Sequence, residues 1–154
     1  MFAIGLTNRP HASTDGPPCY AGTLMLGDDL ERLACTAGAW TAGDYRRQWL
    51  AAARQLATGP RARTAFVIAV GRAHRVIEWW PAHRDGRRVV FHNQLPLDLH
   101  LPRARLGAVV PQRRAGAWRG SPGVSEWVVP YSSIEQWARS SGARRASSTI
   151  SRDR

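Results

Sequence analysis

Between Arg75 and Leu95 the chain reads RVIEWWPAHRDGRRVVFHNQL, two apolar runs on either side of Asp85-Gly86. That dipeptide readily supplies the positive-φ positions of a tight turn, so the pattern predicts a β-hairpin from Ile77 to Gln94. With a two-residue loop, Arg84 pairs with Arg87, Ala82 with Val89, Trp80 with Phe91 and Glu78 with Asn93. Side chains alternate across a sheet. Val76, Trp80, Ala82, Val89, Phe91 and Leu95 therefore share one face, apolar except for the Glu78/Asn93 pair, and this face reads as core. Ile77, Trp79, His83, Arg88, Val90, His92 and Gln94 share the other, expected to be partly exposed. A longer loop that slipped the register by one residue would exchange the two faces. Pro81 donates no ladder hydrogen bond, which predicts an edge strand or a bulge at that position.

Elsewhere the same reading finds further elements. Phe2 to Leu6 is a short apolar strand, and Asn8 to Pro18 a loop rich in Pro, Ser, Asp and Gly. Tyr20 to Leu26 and Leu30 to Ala37 form two strands around Gly27-Asp28-Asp29. Thr41-Ala42-Gly43-Asp44 has the form of a helix-opening capping box, with Asp where Glu is usual. Tyr45, Trp49, Ala52, Ala53 and Leu56 then recur at helical spacing, and Gly59-Pro60 stops the helix. Arg46, Arg47, Gln48, Arg54 and Gln55 lie off that stripe, and Trp49 on it reads as core. Thr64 to Val70, a continuous β-branched and apolar run, is the best candidate for a central strand.

From Pro96 to Gly123 the pattern is irregular, with a short strand expected at Leu106 to Val110. Ser125 to Val129 is strand-like and ends at Pro130. Ser132-Ser133-Ile134-Glu135 is a second capping box, opening a short helix with Ile134, Trp137 and Ala138 inward. These elements predict an α+β domain over residues 1–140. A mostly antiparallel β-sheet packs against one long helix, with a short C-terminal helix. Residues 141–154 are expected to form a disordered Arg/Ser-rich tail, because they have almost nothing to bury.

Charge adds one rival reading. The 154 residues carry a formal net charge of +11, and all 22 basic residues are Arg. An Arg-rich nucleic-acid-binding module is the alternative such a balance raises. In the body of the chain, however, the Arg are scattered over helix, turns and loops, which suits a solvated surface. No apolar run approaches the ~20 residues of a membrane span, and MFAIGLTNRP lacks the basic region of a signal peptide. A cytoplasmic protein is expected. Cys19 and Cys35 could pair, but two cysteines with no partners at metal spacing are more often plain thiols.

Candidate chemistry is sparse. No glycine-rich phosphate loop follows a strand, and there is no nucleophile elbow, helical metal motif or zinc-spaced cysteine pair. His74, His83, His92 and His100 cluster in sequence. In the expected register His83 and His92 share a face but sit about four cross-strand pairs apart, too far for a common metal. A small hydrolase or nuclease using His83, His92 and Glu78 is the enzymatic rival, and it requires a pocket joining those three side chains. The expectation is a protein without catalytic residues, cofactor or metal.

Three blocks in order resemble the immunity proteins of contact-dependent growth inhibition. They are WTAGDYRRQW from Trp40 to Trp49, WWPAHRDG with the later HNQL between Trp79 and Leu95, and SEWVV followed by IEQW between Ser125 and Trp137. With their surroundings they span Tyr20 to Ala138. The resemblance implies a small cytoplasmic binding protein that neutralises a cognate toxin domain, commonly a nuclease, by stoichiometric inhibition. On the hairpin, Trp79, His83, Arg88, His92 and Gln94 offer an aromatic anchor among polar and cationic groups, a composition that suits the toxin contact.

Overall fold

Thr41 opens α1 (Ala42–Leu56) as its sequence predicts. Its hydroxyl accepts the Asp44 amide, and the Asp44 carboxylate accepts the Thr41 amide, closing the capping box in both directions. Tyr45, Trp49 and Leu56 on the apolar stripe are fully buried. The computed structural model describes residues 1–13, 16–71, 75–93, 99–100 and 125–150. The expected strand at Leu106 to Val110, together with His74 and Gln94, lies outside them.

The strands form two antiparallel sheets. The first has three strands in the order β1 (Phe2–Leu6), β2 (Cys19–Leu26) and β3 (Asp29–Thr36). The second runs β4 (Arg63–Val70), β5 (Arg75–Asp85), β6 (Arg88–His92) and β8 (Glu126–Pro130), while the short β7 (Leu99–His100) pairs with the start of β5. Phe2 on β1 stacks 5.6 Å from Phe66 and 5.5 Å from Phe91, which joins the first sheet to the inner face of the second. Trp137 of the last helix closes the same cluster, 5.4 Å from Phe2. The architecture is α+β and antiparallel, with two sheets in place of one.

β4 is an edge strand, not the central one its apolar run suggests. Side chains stand where a neighbouring strand would be. The Gln48 amide donates to the Ala65 carbonyl at 2.7 Å and accepts from the Val67 amide at 3.0 Å, while Trp49 Nε1 donates to the Val67 carbonyl at 2.8 Å. At the far end Thr36 Oγ1 donates to the Val70 carbonyl at 2.7 Å, and the Val70 amide reaches both Thr36 Oγ1 and the Tyr45 hydroxyl. A buried edge needs partners for its outward groups, and α1 with β3 supplies them. Gln48, which lies off the apolar stripe, is buried for this reason.

Pro81 is likewise in an interior strand. Ala65 opposite it bonds outward to Gln48, so Ala65/Pro81 is a non-hydrogen-bonded pair and the Pro81 nitrogen faces β6. The β5–β6 ladder stops at Ala82, one residue short of it. The register instead shifts further along, between Val67 and Val70, first with an extra residue on β4 and then with one on β5.

The hairpin turns at Gly86-Arg87, one residue later than expected. Asp85 pairs with Arg88, His83 with Val90 and Ala82 with Phe91, and Gly86 takes φ 59°. Two backbone bonds hold the turn against the α1–β4 connection: Gly86 N to Pro60 O and Arg84 N to Ala62 O. A slip of the turn centre by one residue moves each pairing by two, so the faces keep their members.

α2 (Tyr131–Ile150) starts just ahead of the expected Ser132 cap, because the Tyr131 amide is taken by the Arg87 carbonyl at 2.9 Å. Ser133 instead donates its hydroxyl to the Pro130 carbonyl. The backbone stays helical for 20 residues, through most of the segment expected as a disordered tail. Ala143, Arg144, Arg145 and Ala146 are good helix formers, a preference the burial argument leaves out. Cys19 and Cys35 are free thiols. Cys19 pairs with Thr36 and Cys35 with Tyr20, so their side chains leave opposite faces of the β2–β3 ladder.

Candidate partner-binding face

The outer face of the second sheet carries the residues singled out on the hairpin. β5 contributes Trp79, Pro81 and His83, β6 contributes Arg88, Val90 and His92, and β8 contributes Glu126 and Val128. Trp79 is only 4 % exposed and His92 only 1 %. His83 is half-buried and Arg88 is exposed, while Gln94 lies outside the described residues. The face expected to be open is therefore closed around Trp79 and His92 and open towards the turn. Trp79 Nε1 is buried and has no hydrogen-bond partner among the described residues.

The later turn brings together what the expected register kept apart. With His83 opposite Val90, His92 becomes its diagonal neighbour, and the two rings meet edge to face with centroids 5.6 Å apart. Glu126 sits opposite His92, its carboxylate 3.8 Å from Nδ1. Glu78 is not part of this group. It points to the inner face, accepts a bond from Trp80 Nε1 at 3.3 Å and lies near Cys35. The three side chains an active site would have to join are thus split between the two faces of one sheet. Among the described residues no group of three or more His, Cys, Asp and Glu is placed to hold a metal ion.

What remains accessible is a rim of mixed character. Arg63, opposite His83, is exposed, as are Arg88 and Pro130 opposite one another. Val128, 51 % exposed, is one of few large apolar side chains open to solvent among the described residues. Arg84 reaches back from this rim. It donates to the Leu56 carbonyl at 2.8 Å and lies 3.6 Å over the Tyr131 ring, tying the turn to both helices. The sequence pattern had no signal for Arg63 or Val128, because only the β4–β5 and β6–β8 registers carry them to this face. Such a surface can bind a protein: a few apolar atoms and exposed guanidinium groups on a hydrogen-bonded sheet.

Two buried groups are held in their neutral form. Burial, then the charge of Glu78, pushes the Cys35 thiol up to about 12, and burial likewise pushes the Tyr45 hydroxyl up. At the helix cap, burial works against ionisation of Asp44, but the Thr41 bonds and the Arg47 guanidinium outweigh it and hold the carboxyl below its ordinary range.

Comparison with known proteins places these features. The family model described as CdiI N-terminal domain matches residues 35–137. Among solved structures the chain is similar to one described as a CdiA-CT/CdiI toxin and immunity complex from Enterobacter cloacae. The two share 18 % identity at a TM-score of 0.77, over 93 % of this chain and 99 % of that one. At that identity the likeness is one of fold. Comparison with curated proteins gives no match.

Proposed function

As the chain belongs to the CdiI family, we propose that it is an immunity protein which binds the C-terminal toxin domain of its cognate CdiA-type partner and neutralises it stoichiometrically. The observation that carries this reading is the family match, which spans α1, the hairpin and the start of α2. The whole-chain likeness in fold to a structure of a toxin and immunity complex agrees with it. The separation of Glu78 from His83 and His92 removes the enzymatic arrangement that the sequence allowed. The protein acts as a binder in the cytoplasm, without cofactor, on a toxin that is a nuclease.

The contact surface is the rim of the second sheet at the hairpin turn. His83 and Arg88 belong to it directly. Trp79 and His92, buried beneath, support it without touching the partner, and Gln94 is its remaining candidate member. The test is co-expression with the toxin domain encoded beside this gene. Cells that survive only with this chain present, and a 1:1 complex on gel filtration, are the expected results. Continued killing in the presence of the folded protein would sink the reading.

A further inference from the structure

The geometry points to an acidic face on the toxin domain as the occupant of one cationic end of this molecule, an inference that rests on the immunity reading above. The scattered arginines of the sequence are gathered there by tertiary contacts. Arg54 lies in the last turn of α1, Arg61 in the turn before β4, Arg63 at the start of β4, and Arg84, Arg87 and Arg88 about the β5–β6 turn. The bonds Gly86 N to Pro60 O and Arg84 N to Ala62 O, 2.9 and 2.8 Å, hold the turn against the α1–β4 connection. Arg84 Nη1 on the Leu56 carbonyl ties in the end of the helix. Five of these six side chains are exposed, and Arg84 is half-buried. Asp85 is the single carboxylate in the segments 54–63 and 84–88.

Like charges held this close repel one another, and an anionic partner relieves that repulsion on binding. Two features favour a protein carboxylate surface over nucleic acid. Single-strand binders interleave cations with exposed aromatic rings for base stacking. Here the nearby ring, Tyr131, is covered by Arg84, and the exposed large apolar residues of the described surface are Met1, Leu30 and Val128. Val128 adjoins this end through the β6–β8 ladder, where Pro130 pairs with Arg88. An aliphatic contact beside several guanidinium forks suits a protein interface, each fork able to take a carboxylate through two parallel bonds. A nuclease cleft, which must attract phosphate, would repel this end. The acidic face therefore lies outside such a cleft, and inhibition does not proceed by imitation of the nucleic-acid substrate.

The test measures affinity for the toxin domain encoded beside this gene. It compares the full-length wild type, the double variant Arg87→Glu/Arg88→Glu, and the control Arg9→Glu/Arg32→Glu, which makes the same charge change at exposed positions of other segments. The hairpin-end variant is expected to weaken binding on the order of 100-fold and the control by less than about 3-fold, with unchanged melting temperatures. Raising salt from about 0.05 to about 0.5 M should weaken the wild-type complex at least tenfold and the hairpin-end variant far less. Wild-type binding that survives the Arg87/Arg88 reversal overturns the inference and leaves the immunity reading intact. Absence of any wild-type complex refutes both. Tight, salt-sensitive binding of single-stranded RNA or duplex DNA that depends on Arg87 and Arg88, with no loss of toxin affinity in the variant, assigns this end to nucleic acid instead.

Discussion

Gln48→Met removes the side chain that stands in for a missing strand beside β4, at nearly constant volume. The amide is 4 % exposed and serves two backbone groups of β4, donating to Ala65 O at 2.7 Å and accepting from Val67 N at 3.0 Å. Methionine fills the space and satisfies neither. Each buried group left without a partner costs about 1–3 kcal/mol, so the variant should lose about 2–6 kcal/mol in all. Urea unfolding followed by tryptophan fluorescence should show the midpoint falling by roughly 1 M or more at constant slope. Gln48→Glu adds a pH signature. An ionised carboxylate accepts from Val67 N but faces Ala65 O, whereas the protonated acid can donate to that carbonyl. Burial and the missing donor raise the introduced group's pKa in the folded state above its unfolded value of about 4.3. A raised folded pKa means stability present at low pH and lost as pH rises through the folded value. The deficit against wild type should thus be small near about pH 4 and largest above about pH 7. A loss under about 1 kcal/mol in Gln48→Met would refute the reasoning, since it would mean that water or a small backbone shift replaces the amide without penalty.

Trp49→Ala should cost about 3–5 kcal/mol, because the ring is fully buried, while Trp49→Phe isolates the lost donor to Val67 O and should cost about 1–3 kcal/mol; a Trp49→Phe variant as stable as wild type would mean the hydrogen bond contributes nothing. Trp79→Ala should also destabilise by about 3–5 kcal/mol in chemical denaturation, and a well-folded variant that loses only toxin affinity would return Trp79 to the contact surface. Thr41→Ala should cost about 0.5–2 kcal/mol. Asp44 has a lowered pKa in the fold, so its contribution is present above the ordinary carboxylate range and fades as pH falls through its folded value; thermal melts of wild type and Asp44→Asn should converge there. Cys35, with its thiol raised to about 12 by burial, should resist iodoacetamide at mildly alkaline pH and react fully in denaturant; rapid labelling of the folded protein would contradict the burial. Truncation after Gly142 should shift the melting temperature by less than about 2 °C, because a segment whose one large apolar residue is Ile150 offers little to bury, and a larger drop would show that the end of α2 docks.

Local pattern alone was enough for α1 and its cap, for strands β1 to β4 and β8 within a residue or two, and for the hairpin. The reason is that capping, helical periodicity and the φ > 0 tolerance of glycine are written in a few neighbouring residues. The sorting of hairpin faces survived the displaced turn, because a two-residue change in pairing leaves a period-two pattern unaltered. Everything that depended on the turn's position did not survive. His83 and His92 became neighbours because the α1–β4 connection binds Gly86 and Arg84, a contact between segments some 25 residues apart. Gln48 read only as lying off the apolar stripe, because the edge strand it completes is invisible from its own helix. Thr64 to Val70 read as central because burial by a helix and burial by two strands leave the same apolar run. The arginines read as scattered for the same cause. Position along the chain says nothing of which turns are hydrogen-bonded together, and only the packing of α1, β4 and the hairpin makes one charged end of six separate residues.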